Sequence, residues 1–127
     1  MSGYESLDVY KKAYKAALEV YEMSRGFPQE ERYAMTNQIR RAATSISLCI
    51  AEGYGKKSSQ REFKRFLEMA MGSSNEVSVL LDFSKDLGYI PEERYVKEKR
   101  EYEEIGRMIN GLLRRVEREV QNLKSSV

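Results

Sequence analysis

The amino-acid sequence predicts an all-α fold, an antiparallel up-down-up-down four-helix bundle that occupies residues 1–127 as a single domain. Three observations carry this prediction. Apolar residues recur at helical spacing in four long segments. Only two prolines are present to interrupt those segments, and the connections between them are short, as in antiparallel bundles. No segment has the alternating pattern of a β-strand.

The first two helices are expected at about residues 7–24 and 28–53. Gly26 follows the first apolar stripe and marks its end. Pro28 is tolerated in a first helical turn, so the second helix is expected to begin there. Its apolar stripe runs as far as Gly53, where a Gly-Tyr-Gly sequence is expected to end the helix.

The third and fourth helices are expected at about residues 59–87 and 91–122. Ser59 and Glu62 match a capping box, in which the serine oxygen and the carboxylate satisfy free backbone N–H groups at the helix start. Gly72 and the two serines after it lower helix propensity in mid-helix. We therefore expect another helix to approach closely at that point.

The second helix carries a polar face beside its apolar stripe. Arg41 and Glu52 lie on that face three helical turns apart, too far to pair with each other. We expect Arg41 to pair with Glu76 of the third helix or with a residue across a subunit contact. The predicted structural or interface network comprises Arg41, Ser45, Glu52, Ser73 and Glu76.

Positive charge is concentrated around the turn between the second and third helices. The net charge is only +2, but residues 38–65 contain seven basic residues against two glutamates. This segment therefore carries +5 and the rest of the chain −3. A helix start beside such charges is a favourable place for a phosphate group. The candidate phosphate contacts are Arg40, Lys56, Lys57, Arg61, Lys64 and Arg65.

The composition argues against catalysis. The chain has no histidine and one cysteine, Cys49, so a histidine base, a Cys–His nucleophile, a zinc site and an internal disulfide are excluded. We expect no enzymatic activity, no metal and no cofactor. No apolar run approaches the length of a membrane span, and the N-terminus has no apolar signal-peptide core. We expect a cytoplasmic protein with no membrane partner.

Several motifs resemble those of small bacterial four-helix-bundle proteins first noticed as products of intervening sequences in large-subunit ribosomal RNA genes. They cover nearly the whole chain: LDVY at 7–10, FP at 27–28, QIRRAATSI at 38–46, IAEG at 50–53, EF at 62–63, RFL at 65–67, Ala70, Gly72-Ser73 and Glu76. The chain departs from the family pattern at Ser47 and Cys49, where proline and asparagine are usual.

This resemblance implies an antiparallel bundle assembled as a ring, commonly a homopentamer. It also implies kinship with the accessory proteins of diversity-generating retroelements, which bind a reverse transcriptase and nucleic acid through a basic surface. For the rRNA-linked members it implies no established activity.

Two functional hypotheses follow. The first is a ring-forming protein that binds nucleic acid through phosphate contacts without sequence specificity. RNA is the favoured ligand and DNA the other candidate. The alternative is a protein-interaction scaffold or accessory subunit for a partner such as a reverse transcriptase, with no direct nucleic-acid binding. Phosphate binding must weaken steeply with salt, whereas a largely apolar protein contact should not.

Overall fold

The computed structural model describes residues 3–125, with side chains as far as residue 123, and these residues form an all-α fold. Single 3-10 turns lie at Tyr4–Ser6 and Gln29–Glu31. The four helices are α1 (Asp8–Ser24), α2 (Met35–Gly55), α3 (Gln60–Asp86) and α4 (Glu92–Ser125). No strand occurs between residues 3 and 125. The expected all-α class with four helices is therefore confirmed.

Each helix of the bundle has two neighbours. α2 packs between α1 and α3, and α4 packs between α3 and α1. Residues that meet across α2 and α3 include Gln38 with Glu76 and Ser45 with Ser73, so numbers rise along one helix as they fall along the other. The four helices thus form a four-sided bundle around one apolar core.

The apolar stripe of α2 lies in this core. Ile39, Ala43, Ile46 and Ile50 are fully buried, as their helical spacing predicts. Gly53 ends the stripe at a close contact with α3, because a Cβ placed there would lie 2.7 Å from the Cβ of Phe66. The missing side chain is what allows α2 and α3 to approach each other here.

The second helix begins later than its sequence suggests. Pro28 has extended backbone angles (φ −56°, ψ 145°), and Gln29–Glu31 make only a single 3-10 turn. Ala34 then leaves helical geometry (φ −122°, ψ −104°), so α2 starts at Met35. The expected start at residue 28 is wrong by seven residues, because a proline and acidic residues favour a helical turn without requiring it to continue. A carboxylate oxygen of Glu31 accepts a hydrogen bond from the Met35 N–H at 3.4 Å.

The third helix begins as expected. Ser59 Oγ accepts the Glu62 N–H at 3.3 Å, which satisfies a free donor of the first turn. The expected close approach of another helix at Gly72 and the two serines after it is confirmed at the serines, whereas a Cβ at Gly72 itself would meet nothing within 4 Å. The neighbouring serines make the contacts with other helices. Ser73 Oγ lies 2.9 Å from Ser45 Oγ of α2, and Ser74 is buried.

Ser47 and Cys49 leave α2 unbroken. The helix runs through both positions, and both side chains are buried. Ser47 Oγ has no hydrogen-bond partner, whereas the free Cys49 sulfur lies 3.7 Å from Ser45 Oγ.

Ionic contacts cross the seam between α1 and α4. Arg94 donates to Glu98 Oε2 at 2.8 Å and to the Glu19 carbonyl oxygen at 3.1 Å. Glu98 is fully buried, and its Oε1 has no partner. Burial raises the pKa of the Glu98 carboxyl, with Glu19 adding to the rise and Arg94 opposing it. The seam therefore contains a carboxylate whose charge is costly.

Candidate nucleic-acid interface

Four of the expected phosphate contacts lie around the turn between α2 and α3. Lys56 and Lys57 are exposed in the turn, and Arg61 and Lys64 follow in the first two turns of α3. The Lys57 ammonium lies 4.0 Å from the centre of the Tyr54 ring. An aromatic face attracts a cation placed over it, so Lys57 is held against the protein while it remains open to solvent.

Arg65 belongs to the same surface but has an intramolecular partner. Its Nε and Nη2 each donate to a Glu62 carboxylate oxygen at 3.2 Å. The hydrogen bond from Arg65 lowers the pKa of Glu62, and the same bond raises the pKa of Arg65. An exposed pair of this kind adds little stability. A phosphate group can therefore compete with Glu62 for Arg65.

Arg40 lies apart from the other candidates and has a structural role. It donates from Nε to Ser24 Oγ at 2.7 Å and from Nη2 to the Tyr21 carbonyl oxygen at 3.2 Å. Its guanidinium lies 4.8 Å from the centre of the Tyr21 ring. Arg40 thus satisfies a carbonyl at the C-terminus of α1, where a cation is favoured. Along α2 it is about 24 Å from Lys56.

The structure adds three arginines of α4 to the surface. Lys64 shares a surface cleft of about 410 Å³ with Arg114 and Arg118, together with Glu117. Lys57 lines another cleft with Arg115 and Glu119, and Leu7, the residue before α1, also lines it. We call the combined surface the basic end; its members are Lys56, Lys57, Arg61, Lys64, Arg65, Arg114, Arg115 and Arg118.

Sequence reasoning missed the three α4 arginines because, in the net charge of the whole helix, the acidic first half of α4 offsets them. Counting charge separately for each half of α4 reveals them: Arg114, Arg115 and Arg118 fall within five residues of one another, with Glu117 among them. Only the fold shows that this run lies beside α3, since the two segments are about 50 residues apart in the chain.

The expected polar network is assembled in part. Arg41, Ser45, Ser73 and Glu76 line one polar cleft of about 530 Å³ between α2 and α3. The expected pair between Arg41 and Glu76 is not formed among the described residues. Gln38 Nε2 takes that place and donates to Glu76 Oε2 at 3.3 Å. Arg41 is exposed.

Glu52 lies outside this cleft. It is exposed near the C-terminal end of α2 and contributes to the raised pKa of Arg65. Its position places it beside the basic end, about three helical turns from Arg41 and about two from Ser45 along α2.

Over the part of the chain that the structure describes, no group of three or more metal-ligating side chains is present. Within that same part, no helix has both the length and the apolar character required to cross a bilayer.

The fold and these surfaces define an all-helical four-helix protein with a cationic end. The family model for 23S rRNA-intervening sequence proteins matches residues 5–111, and the chain belongs to that family. Its fold is similar to a crystal structure from Bacteroides thetaiotaomicron VPI-5482, described as a protein of unknown function from the S23 ribosomal protein family. The two are 24% identical with a TM-score of 0.76, covering 84% of this chain and 95% of the other. No curated protein matches the chain.

Proposed function

We propose that this protein is a non-enzymatic, cytoplasmic RNA-binding protein that contacts phosphate groups through its basic end. The observation that carries the proposal is the convergence of cations from two distant segments. Lys64 of α3 lies with Arg114 and Arg118 of α4, and Lys57 lies with Arg115. Lysine and arginine side chains that neutralise phosphates release counterions, which supplies the affinity.

The start of α3 supports the same assignment. Ser59 satisfies one N–H of the first turn, and the remaining N–H groups give this terminus a partial positive charge. The aromatic rings near the turn are covered by cations. Lys56 lies 5.6 Å and Arg65 4.6 Å from the centre of the Phe66 ring. This arrangement suits recognition of backbone shape and charge without base reading.

We propose further that the helices run up-down-up-down and that copies assemble as a ring, a pentamer as the family resemblance implies. Contact pairs such as Asp82 with Lys99 and Ser74 with Tyr102 support the alternating helix directions, since residue numbers fall along α3 as they rise along α4. A ring would repeat the basic end several times on one particle. Several modest phosphate contacts would then act together, which raises the overall affinity.

The test is a fluorescence-anisotropy titration of nuclease-treated protein with a labelled RNA hairpin at several salt concentrations. We expect binding that weakens steeply with salt. Lys57→Glu/Lys64→Glu should weaken it and reduce the magnitude of the slope of log K against log salt by about 1.4 to 1.8, since two contacts are lost. Light scattering should show an unchanged mass.

The matched control reverses two charges away from the basic end. Arg25 and Arg32 are both exposed and follow the C-terminus of α1, so Arg25→Glu/Arg32→Glu changes the net charge equally. It should bind RNA with nearly the wild-type salt slope. Equal losses in both variants would indicate a net-charge effect and contradict the proposed site. No binding at low salt would reject the RNA proposal and favour a scaffold for a protein such as a reverse transcriptase.

A further inference from the structure

The cleft that Lys57 and Arg115 line at the basic end has apolar walls, and we call it the apolar cleft. Its volume is about 610 Å³, a size typical of clefts that hold small organic groups. Its apolar side chains come from the residue before α1 and from the other three helices: Leu7, Tyr54, Phe63, Leu112 and Val116. Phe63 and Val116 are buried, whereas the other three are half-buried and partly open to solvent.

Two aromatic rings of the apolar cleft meet edge to face. The centres of the Tyr54 and Phe63 rings lie 6.2 Å apart, and their planes are inclined at 83°. One face of the Tyr54 ring is covered by the ammonium of Lys57, an exposed residue of the turn. A flexible side chain, and not core packing, therefore covers this face. A planar group can take its place, because stacking of a base on an aromatic ring is stronger than an exposed cation–π contact.

The charges around the apolar cleft select for an anionic ligand. Lys57 and Arg115 line it and are exposed, and Lys56 and Arg114 are their neighbours in the chain. Glu119 also lines it and repels phosphate, so the negative groups of a ligand must lie on the side of the two cations. The ligand that fits has a planar apolar part and negative charge close to it.

An unpaired nucleotide has this combination of properties. Its base presents two apolar faces for stacking, and the phosphate groups on either side carry negative charge. A base within a duplex is already stacked and paired, and its release costs free energy. The apolar cleft therefore favours RNA that contains single-stranded residues.

We propose that the apolar cleft holds one unpaired base of a bound RNA, stacked on Tyr54 in the place of the Lys57 ammonium, while Lys57 and Arg115 contact the flanking phosphates. The inference rests on the proposed RNA binding and specifies which RNA the basic end prefers. Every base has an aromatic face, so stacking is tolerant of sequence. It adds a preference for unpaired residues without any hydrogen bond to a base edge.

The experiment compares two labelled RNAs with the same number of phosphates, a hairpin with an unpaired loop and a blunt duplex. Charge alone favours the duplex, because its phosphates are more closely spaced and release more counterions. Stacking of one loop base favours the hairpin. In anisotropy titrations at one salt concentration, we expect the wild-type protein to bind the hairpin about tenfold more tightly than the duplex.

Three variants assign this preference to the ring of Tyr54. Tyr54→Leu keeps an apolar side chain but removes the ring, so the preference should be lost while the duplex affinity stays within about twofold of wild type. Tyr54→Phe keeps the ring and should keep the preference. Tyr33→Leu is the matched control, because Tyr33 is 85% exposed and lies at the other end of the bundle. Circular dichroism checks that each variant is helical.

Photocrosslinking locates the base on the wild-type chain, so it does not depend on the folding of a variant. A hairpin that carries 5-iodouridine in its loop is bound and irradiated, and the crosslinked peptide is identified by mass spectrometry. We expect the crosslink at Tyr54 or Phe63, the aromatic residues of the apolar cleft.

The outcomes separate this inference from the RNA proposal. Equal affinity for the hairpin and the duplex, a hairpin preference that Tyr54→Leu retains, or crosslinks only outside the apolar cleft would each overturn the inference. Salt-dependent binding that Lys57→Glu/Lys64→Glu weakens would in those cases still support the basic end, and would leave the apolar cleft to a ligand other than RNA. Absence of RNA binding at low salt would reject both.

Discussion

Replacing Gly53 by alanine tests the close packing of α2 on α3, which holds the turn between them and its lysines in place. Gly53 is buried. The added Cβ would lie 2.7 Å from the Phe66 Cβ and 3.2 Å from the Phe63 Cδ1. The Phe66 Cβ is fixed to its backbone and cannot rotate away, so the two helices must separate by several tenths of an ångström.

Two opposing terms set the magnitude. Alanine in place of a helical glycine gains up to about 1 kcal/mol of helix propensity. Overpacking a tight core contact costs about 1–3 kcal/mol, and a clash with a backbone-anchored atom falls in the upper part of that range. The expected net effect is a loss of about 1–2 kcal/mol of unfolding free energy, or a melting temperature lower by about 3–8 °C.

Gly111→Ala is the matched control. Gly111 lies in α4, and a Cβ there would meet nothing within 4 Å, so only the propensity term applies and stability should rise by up to about 1 kcal/mol. Thermal unfolding followed by circular dichroism measures both variants, at one fixed protein concentration because the proposed self-association would shift the midpoint. A melting temperature for Gly53→Ala equal to or above wild type would refute the packing argument.

Three further predictions follow from other contacts. Ser59→Ala should lower stability by about 1 kcal/mol, because the Glu62 N–H loses its acceptor; an unchanged urea midpoint would contradict this. Arg40→Ala should lower stability by about 1–3 kcal/mol through loss of its two bonds, while the salt slope of RNA binding stays at the wild-type value. A reduced slope would indicate that Arg40 does contact phosphate groups. Burial raises the folded-state pKa of Glu98, so its contribution to stability is present at low pH and lost as pH rises above 4.5 through the folded pKa. The difference in unfolding free energy between Glu98→Gln and wild type should therefore shift in favour of the variant as pH rises over that range. Urea titrations at several pH values measure it, and a difference that stays constant with pH would contradict the prediction.

The sequence predicted local structure best where one helical face or one capping residue decides it. The apolar stripe of α2 predicts burial because its residues share one helical face, and Ser59 predicts the start of α3 because its hydroxyl can accept a local N–H. Pro28 gave a wrong start for α2, because a local preference was again taken to decide the structure. Its fixed φ suits a helix start, but ψ 145° places it in extended backbone, a choice left to the surrounding packing.

The surfaces depended on contacts between distant segments. The sequence located the lysines of the α2–α3 turn, since they are neighbours in the chain, but did not indicate that Arg114 and Arg118 lie beside Lys64. It likewise grouped Arg40 with the lysines, whereas the structure places Arg40 against α1, where it donates hydrogen bonds to Ser24 and Tyr21. Side-chain periodicity specifies which residues form each helix face. Which faces meet follows from the packing of the helices, because periodicity is local to one helix whereas a surface is assembled from several.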